Sequence, residues 1–448
     1  MKIFSPTPHT PHPTPHFLNA CLTGVRLLLA IALLWIATRL RNPLFADVRA
    51  WAFWLALALS LGLLIGEFVI CKTSKSKIHH RLNWAILTLA LLGFLTLTGS
   101  ELKFLWTKHR VLHAESQPLE KLGHHFMVGY RNFDEIKELV ERRAIGGVFI
   151  TARNIQRQTK SAIQTEIQTL QTIRRNQGLP PLWIATDQEG GIVSRFSPPL
   201  TRLPALATIP TNQKQVTRYA RVHGQELSEV GVNVNFAPVV DLNKGVVNSQ
   251  DKFSKIYQRA ISADPEVVAR VALWYCQTLQ EYGVHCTAKH FPGLGSVQTD
   301  THLESAELSQ PIAKLEREDW VPFRALMNQP QAFVMVGHAK LTAIDADHPV
   351  SFSKSVISDL LRNSWNYDGV LVTDDFCMQA VYASREGLQT ASIEALNAGV
   401  DLILISYDSD LFYETMNALL QADKTNQLSD QQLKISRSRL EQHRTSQS

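Results

Sequence analysis

Two aspartates and a histidine in the last third of the chain have types and positions that suit acid–base and nucleophilic chemistry. Asp374 directly follows the apolar run 370–373, so its carboxylate would be held at a fixed position. His302 comes two residues after Asp300 in a glycine-containing loop. An imidazole exchanges protons near neutral pH, because its unperturbed pKa is about 6.5. A fixed carboxylate facing a proton donor is what glycoside cleavage with retention requires.

The same residues are also compatible with purely structural roles. Asp374 is alternatively a cap for the helix that follows it, and Asp300 with His302 is alternatively a pair on a surface loop. The neighbouring Asp375 should be turned away from Asp374 by the pleat of the strand. Five further charged or polar residues suit the binding of sugar hydroxyls, although each is alternatively a structural ion-pair partner: Asp187, Arg195, Arg259, Lys289 and His290.

The elements that would position these residues alternate regularly from about residue 118. Short apolar runs predict strands at 125–128, 147–150, 182–185, 233–236, 285–288, 333–336, 370–373 and 402–405. Amphipathic segments between them predict helices, for example at 134–143, 265–282 and 312–327. Eight such units over roughly 320 residues are typical of an α/β protein with a (β/α)8 TIM-type barrel. A doubly wound open sheet is the alternative, but no phosphate-binding glycine motif follows the first strand.

The barrel prediction requires the chemically active residues to follow the carboxyl ends of strands, because the loops there build the site. The sequence has this pattern, since polar residues follow the third, fifth, sixth and seventh runs. They are Asp187, the Lys289–His290 pair, His338, and the Asp374–Asp375 pair.

The first quarter of the chain has a different composition. Residues 3–16 alternate Pro, Thr and His, which predicts an extended, disordered tail at 1–16. Apolar stretches at 17–38, 51–71 and 82–98 predict two to three transmembrane helices within 17–110. The first stretch contains Arg26 and would span fully only if Arg26 snorkels to the headgroups. The catalytic barrel would then occupy 111–448.

The charge distribution and the cysteines indicate which classes of function are open to this protein. Residues 1–116 hold 12 Lys and Arg against 4 Asp and Glu, whereas the rest of the chain is slightly acidic. The net charge of +5 is therefore no evidence for nucleic-acid binding, and a multi-pass location in the cell membrane, in contact with lipid, is predicted. Basic residues flank both ends of the apolar stretches, so the side on which the barrel lies stays open. The five cysteines are interpreted as buried thiols that act as small hydrophobes.

Ordered motifs give the chain a resemblance to a known family. They are IATDQEGGIVSRF at 184–196, TRLP at 201–204, GVNVNFAPVVDL at 231–242, IYQRAISADP at 256–265, AKHFPGLGSVQTDTH at 288–302, VMVGHA at 334–339, DGVLVTDDFCM at 368–378 and ALNAGVDLILIS at 395–406. At these residues, over about 122–406, the sequence resembles glycoside hydrolase family 3, in its branch of bacterial β-N-acetylglucosaminidases. The stretch around KHFPG and DTH is the most specific.

The resemblance implies a role for each candidate. Asp374 corresponds to the nucleophile that forms a covalent glycosyl-enzyme intermediate, and His302, assisted by Asp300, corresponds to the acid/base. The five sugar-binding candidates correspond to groups that hold the N-acetylglucosamine ring. The family uses no metal or organic cofactor. The implied activity is exo-cleavage of terminal N-acetylglucosamine from muropeptide-like or chitooligosaccharide substrates in peptidoglycan turnover.

Three positions depart from the family pattern. Leu294 stands where members commonly have His, Tyr257 where Gly is frequent, and Ile261 where an aromatic residue is common. These changes bear on substrate preference and on loop closure. A neutral imidazole donor would not repel an anionic acceptor, so the balance between hydrolysis and transfer to phosphate is left open.

Other functions remain as alternatives. A metal-dependent hydrolase would use His290, His302, His338 and Asp374, but the HH pair at 124–125 lies at the start of the first strand, where such sites do not form. A catalytically decayed, membrane-held sugar-binding protein would be expected to lack a catalytic group. Another β-glycosidase of the same family would differ in its substrate.

Overall fold

We describe the protein from a computed structural model, which describes residues 15–73, 77–247 and 251–445. The chain divides into two compact units, residues 1–106 and residues 107–448. The tail predicted at 1–16 lies outside the described residues, except for Pro15 and His16 at the start of the first helix.

The N-terminal unit consists of long apolar helices. They are α1 (Pro15–Arg39), α2 (Arg49–Thr73) and α3 (Lys77–Leu112), with a short 3-10 turn at Pro43–Phe45. The segments Ala20–Arg39, Arg49–Thr73 and His80–Leu112 are long and apolar enough to cross a membrane. The third apolar segment is longer than the stretch expected at 82–98, because the helix continues with a mixed polar and apolar face toward Leu112.

Arg26 does not depend on the headgroups for a partner, as the sequence had suggested. Its guanidinium lies 2.9 Å from Oε1 of the fully buried Glu67 and 3.3 Å from Oδ1 of Asn83. All three helices therefore contribute polar groups to a shared cluster. An ion pair between helices removes the cost of an isolated charge in an apolar environment.

The second unit contains a closed barrel of eight parallel strands. The strands are β1 (Phe126–Gly129), β2 (Gly147–Phe149), β3 (Trp183–Thr186), β6 (Val234–Asn235), β7 (His285–Phe291), β9 (Phe333–Val336), β11 (Leu371–Asp375) and β12 (Leu402–Ile405). Short strands outside the barrel are β4 (Gln188–Gly190) with β5 (Val193–Ser194), and β8 (Ala306–Leu308) with β10 (Ala339–Leu341). The spatial order around the barrel is β1-β12-β11-β9-β7-β6-β3-β2, so the predicted TIM-type barrel is confirmed.

Alternate residues of the strands fill the barrel. Pairs two residues apart, such as Trp183 with Ala185, Phe333 with Met335 and Leu402 with Leu404, belong to one buried cluster. Successive side chains of a strand point to opposite faces, so these pairs point inward and their neighbours meet the surrounding helices. The packed interior leaves the carboxyl ends of the strands as the place for a polar site.

Helices surround the barrel. They are α4 (Ser116–Gly123), α5 (Phe133–Glu141), α6 (Ala152–Ile155), α7 (Lys160–Asn176), α8 (Gln213–Val230), α9 (Ile256–Arg259), α10 (Pro265–Gln280), α11 (Ile312–Arg317), α12 (Val321–Met327), α13 (Gln379–Tyr382), α14 (Gly387–Ala398), α15 (Asp410–Lys424) and α16 (Asp430–Thr445), with a π-helix at Ser355–Ser364. Side-chain caps fix several starts; for example, Asp264 accepts from the N–H groups of Glu266 and Val267 at α10. The helix expected at 312–327 is two helices, because Pro322 has no N–H to donate within a continuous helix and stands instead in the first turn of α12.

The prediction of buried thiols is wrong for three of the five cysteines, since two form a disulfide and one is exposed. Cys276 of α10 and Cys286 of β7 form a disulfide with Cα atoms 5.3 Å apart. The remaining cysteines are free thiols, of which Cys71 and Cys377 are buried and Cys21 is exposed. Ten residues of sequence separate the bonded pair, and only the return of the chain from α10 into β7 brings them together.

Candidate active site

Asp374 occupies the carboxyl end of β11 and lies inside the strand, whereas the sequence had placed it just after the strand. Its Oδ1 accepts the N–H of Asp375 at 2.8 Å. Burial alone would raise the pKa of this carboxyl, but the nearby imidazoles of His290, His338 and His302 lower it to about 2. The side chain is therefore an ionised carboxylate at neutral pH, as a nucleophile at an anomeric carbon must be.

Asp375 points elsewhere, as the pleat of the strand requires. Its carboxylate accepts the N–H groups of Cys377, Ser406 and Tyr407 at 2.9–3.0 Å. These bonds join the end of β11 to the end of β12. The pairing of β11 with β12 shifts register between Val372 and Asp375, and such irregularities re-aim side chains next to functional sites.

His302 is held by the carboxylate of Asp300. Asp300 Oδ1 lies 2.8 Å from Nδ1 of His302 and accepts the His302 backbone N–H at 3.0 Å. Burial opposes ionisation of Asp300, but the hydrogen bond from His302 and the surrounding N–H groups hold the pKa of that carboxyl well below its usual range. With Nδ1 engaged, Nε2 has no hydrogen-bond partner among the described residues, and the ring is 39% exposed. This arrangement leaves one ring nitrogen available for proton transfer to a ligand.

Two backbone hydrogen bonds attach the loop of His302 to the segment that follows Asp374. The N–H of Gln379, at the start of α13, donates to the carbonyl of His302 at 3.1 Å, and the N–H of Ala380 donates to that of Thr301 at 3.3 Å. The loop after β7 and the end of β11 therefore meet at the same rim of the barrel. His302 also lies close enough to Asp374 to lower the pKa of its carboxyl.

Glu189 is a buried anion that sequence reasoning missed. Arg259 donates to both of its oxygens, from Nε at 2.9 Å and from a terminal nitrogen at 2.7 Å. Lys289 Nζ lies 2.6 Å from Oε1 of Glu189 and donates to Asp187 Oδ1 at 2.7 Å. Burial would raise the pKa of Glu189, but Arg259 and Lys289 lower it to about 2. Four of the charged groups at this rim are thus fixed against one another before any ligand binds.

Asp241 is a second missed residue. Its fully buried carboxylate lies 2.8 Å from Nδ1 of His290 and accepts the N–H of Leu294 at 2.6 Å. The Nε2 of His290 is 3.4 Å from Arg259. Lys289 and His290 lie within β7 itself, which extends to Phe291 beyond the expected end at 288. Both missed acids stand in quoted motifs, and for Asp241 the signal was an ionisable residue among apolar ones, which indicates a buried partner.

The remaining sequence candidates occupy several places. Arg195 is exposed just after β5, with its backbone N–H on the carbonyl of Asp187 and its guanidinium without a partner among the described residues. Leu294 belongs to a buried apolar cluster with Ile256, Ala260, Ala306 and Ala339. Ile261 is also buried, and Tyr257 is partly exposed.

Two glycines of the His302 loop are needed for the conformation and packing of the backbone. Gly293 has φ +104°, and a Cβ at Gly295 would lie 2.0 Å from the carbonyl oxygen of Leu242. A left-handed conformation and close backbone contact both favour glycine. Movement of this loop over a substrate stays a prediction.

The histidines of the metal alternative are engaged in other ways. His338 is fully buried, with Nδ1 2.8 Å from Ser351 Oγ and Nε2 3.1 Å from the carbonyl of Asp375. His125 lies at the amino end of β1, with Nδ1 3.1 Å from the carbonyl of Asp401. Across the part of the chain that is described, no three His, Cys, Asp or Glu side chains form a metal-binding group.

Comparisons with known proteins identify the family of the barrel region. Residues 119–442 match the family described as the glycosyl hydrolase family 3 N-terminal domain. A β-hexosaminidase of Nitrosomonas eutropha is 36% identical over 285 residues, covering 61% of this chain and 77% of that protein. One from Neisseria meningitidis serogroup C is 32% identical over 298 residues, covering 64% and 78%.

Solved structures give the same result for the fold. A glycoside hydrolase family 3 β-N-acetylglucosaminidase from Paenibacillus sp. str. FPU-7 superposes with a TM-score of 0.67 at 29% identity, over 74% of this chain and 63% of that one. The β-N-acetylglucosaminidase from Thermotoga maritima superposes with a TM-score of 0.62 at 27% identity, over 72% and 67%.

Proposed function

The chain belongs to glycosyl hydrolase family 3, and we propose that it is a retaining, exo-acting β-N-acetylglucosaminidase. The observation that carries this proposal is the attachment of the His302 loop to α13, at the same rim of the barrel as the end of the strand that contains Asp374. The names of the similar proteins from Nitrosomonas and Paenibacillus support N-acetylglucosamine as the sugar.

In the first step, a carboxylate oxygen of Asp374 attacks the anomeric carbon of the terminal sugar. The glycosidic bond breaks, and the leaving oxygen takes the proton from Nε2 of a protonated His302. Asp300 stays ionised and stabilises the imidazolium, because its pKa is held far below neutral. The product of this step is a glycosyl ester of Asp374.

In the second step, Nε2 of the now neutral His302 takes a proton from a water molecule. The oxygen of that water attacks the anomeric carbon and releases the carboxylate of Asp374. Two displacements at one carbon restore the original β configuration.

The polar rim would hold the non-reducing sugar. Arg259 and Lys289 are immobilised by Glu189, so their remaining N–H groups have fixed directions. Asp187 accepts from Lys289 and keeps lone pairs for a hydroxyl, and the exposed Arg195 has its donors available. Preorganised donors bind without the entropic cost of ordering at the moment of binding.

The N-terminal helices would hold the enzyme in a membrane. Three segments long and apolar enough to span, joined by a shared Arg26–Glu67–Asn83 cluster, support a multi-pass anchor in contact with lipid. The substrate would be a glycan or muropeptide of the cell wall, or a chitooligosaccharide.

The stereochemical course tests the mechanism. The detergent-purified full chain is mixed with an activated β-N-acetylglucosaminide, and the first-formed sugar is followed by proton NMR. Release of the β-anomer before mutarotation is expected, and first release of the α-anomer would contradict a covalent intermediate on Asp374. The same reaction in phosphate buffer tests whether water or phosphate accepts the sugar. Hydrolysis yields only free sugar.

A further inference from the structure

Phe253 is an aromatic residue beside the proposed proton donor that nothing in the reaction described above uses. Its side chain is 55% exposed, and its ring centroid lies 5.4 Å from that of His302, with an interplanar angle of 41°. It belongs to the connection between β6 and α9, which reaches the rim from a different part of the sequence than the His302 loop.

The same carboxylate that orients His302 also fixes the position of Phe253. Asp300 Oδ2 accepts the N–H groups of Phe253 at 3.0 Å and of Lys252 at 3.1 Å, while Oδ1 accepts the hydroxyl of Ser254 at 3.1 Å. One buried carboxylate therefore anchors both the imidazole and the backbone that carries the aromatic ring. This shared anchoring keeps the two rings next to each other whenever Asp300 is ionised.

The geometry constrains where the leaving group lies. An oxygen that receives the proton of His302 must come within about 2.6–3.2 Å of Nε2. A sugar attached to that oxygen then lies beside the imidazole and within reach of the exposed ring of Phe253. Sugar rings present an apolar face of C–H groups, and carbohydrate-sized ligands bind where an aromatic surface lies next to a few fixed polar groups.

We propose that Phe253 forms the binding subsite for the leaving sugar, by packing against the apolar face of the pyranose whose oxygen His302 protonates. This inference rests on the proposed function, since it takes His302 as the proton donor. It assigns to this chain a preference for substrates whose leaving group is itself a sugar over those with a small aglycone.

Two substrates separate this role from a role in positioning His302. N,N′-diacetylchitobiose has a sugar as its leaving group, whereas methyl β-N-acetylglucosaminide has only methanol, and both need protonation. We expect Phe253→Ala in the full-length protein to lower kcat/KM for chitobiose about 5- to 10-fold, mainly through KM, with less than about a 2-fold change for the methyl glycoside. Phe253→Trp should retain the activity on chitobiose.

The controls make each result decisive. Val247→Ala removes another exposed apolar side chain of the same connection and should change neither substrate. Equal losses on both substrates in Phe253→Ala would assign Phe253 to positioning and overturn the subsite, as would an unchanged rate on chitobiose. A wild-type protein that cleaves neither substrate would instead overturn the proposed function itself.

A second and independent observation concerns the side of the membrane. The disulfide between Cys276 and Cys286 is buried, with exposures of 4% and 3%. Cys286 is the second residue of β7, so the bond lies at the amino ends of the strands, opposite the active-site rim. A buried bond far from the site fits a structural crosslink and not a catalytic redox pair.

Formation of this bond requires an oxidising compartment. The two thiols lose two protons and two electrons, which a thiol–disulfide oxidoreductase takes up by exchange, so that its own disulfide becomes a dithiol. Such oxidants act outside the cytoplasm, whereas cytoplasmic thiols are kept reduced. We infer that, with the N-terminal helices spanning a membrane, the barrel lies on the extracytoplasmic side and acts on glycans there.

The charges of the N-terminal region are compatible with this orientation. The connection from residue 72 to 81 contains four Lys and Arg and no acidic residue, and the positive-inside tendency favours a cytoplasmic position for it. At the other end, Arg41 pairs with Glu101, and the guanidinium of Arg49 is hydrogen-bonded to the carbonyls of Leu40 and Arg41. Arg41 and Arg49 are therefore bound to other groups of the protein.

Thiol counting and a topology reporter test this orientation together. Membranes are denatured without reductant and treated with a maleimide–polyethylene glycol, and we expect three additions, at Cys21, Cys71 and Cys377, rising to five after reduction. Alkaline phosphatase fused after Ser448 should be active. Five additions without reductant, or an inactive phosphatase with a fluorescent GFP fusion at the same position, would overturn the assignment. Glycosidase activity in detergent is independent of both results, so the proposed function is tested separately.

Discussion

Asp374 and Asp375 are adjacent aspartates with opposite environments. The first has an ionised carboxylate facing three imidazoles, and the second accepts backbone N–H groups from the residues that directly follow β11 and β12. Because side chains alternate along a strand, one of the two neighbours is available for chemistry and the other supports the structure. This pair provides a matched comparison within one element.

We predict that Asp374→Ala lowers turnover by at least about 10³-fold, because no nucleophile remains at the anomeric carbon. Asp375→Ala should instead lower the free energy of unfolding by about 3 kcal/mol, since it leaves several buried N–H groups without a partner. Turnover and the apparent unfolding temperature of both variants in detergent check the assignment. Near-normal turnover in Asp374→Ala would show that the nucleophile is another residue.

The acid/base role of His302 predicts a dependence on the leaving group. An activated aryl oxide departs without a proton, whereas a sugar alkoxide does not, so His302→Ala should reduce cleavage of chitobiose far more than that of a dinitrophenyl glycoside. The ratio of the two kcat/KM values measures this. Equal losses on both substrates would contradict proton donation by His302.

The lowered pKa of Asp374 predicts the acid side of the pH profile. Its pKa in the folded protein, about 2, lies below the ordinary value, so the carboxylate stays ionised as the pH falls and protonates only near that value. A dinitrophenyl glycoside needs no proton in the first step, and kcat/KM reports the steps up to the glycosyl-enzyme. For this substrate, kcat/KM should not fall through loss of the nucleophile between about pH 7 and pH 4. A decrease of kcat/KM with an apparent pKa near 5, seen also in His302→Ala on the same substrate, would contradict this.

At the scale of elements, three segments far apart in sequence share one ion-pair network. Glu189 lies in β4, Arg259 ends α9, and Lys289 lies in β7. The side chains of all three are more than nine-tenths buried, so the network both orients the donors for sugar and joins the loops at the rim. Removing one partner from a buried network leaves an uncompensated charge.

We therefore expect Glu189→Gln to lower the free energy of unfolding by about 3–5 kcal/mol and to raise KM, because Arg259 loses its carboxylate partner. Denaturation and steady-state kinetics of the full chain give both quantities. Glu141→Gln is the matched control, since Glu141 forms an exposed pair with Lys137 and should change stability by less than about 1 kcal/mol. A Glu189→Gln variant as stable as this control would show that the network contributes no net stability.

At the scale of the whole molecule, a barrel with a polar rim follows three apolar helices in one chain. Large exposed apolar residues in these helices include Trp35, Trp51, Trp54 and Phe68. Surfaces of this kind are stable in a lipid environment and not in water. The barrel helices, in contrast, bury their apolar faces against the strands.

We predict that the full-length protein sediments with membranes and stays there after washing with high salt or alkaline carbonate, while detergent releases it in active form. The apolar surface of three spans, not charge, would hold it, so ionic strength should have no effect. Immunoblots and glycosidase assays of each fraction provide the measurement. Release by salt alone would show that the helices do not span.

The sequence by itself determined the barrel, because eight apolar runs separated by amphipathic segments leave little choice of topology. It also predicted Asp374 directly after a strand, and Asp300 with His302 in the loop that follows another strand. Strands β7 and β11 nonetheless extend to polar residues beyond their apolar runs, since pairing with a neighbour resumes after a register shift, at Phe291 and at Asp375. Local hydrophobicity cannot report such pairing.

Only the tertiary structure decided which charges and thiols meet. Glu189 between Arg259 and Lys289, Asp241 beneath His290, Arg26 against Glu67, and the disulfide of Cys276 with Cys286 all join separated segments. The energy of such a contact depends on distance and burial, which a linear pattern of residue types does not contain. The folding of the chain into a closed barrel supplies both, and thereby turns scattered polar residues into one site.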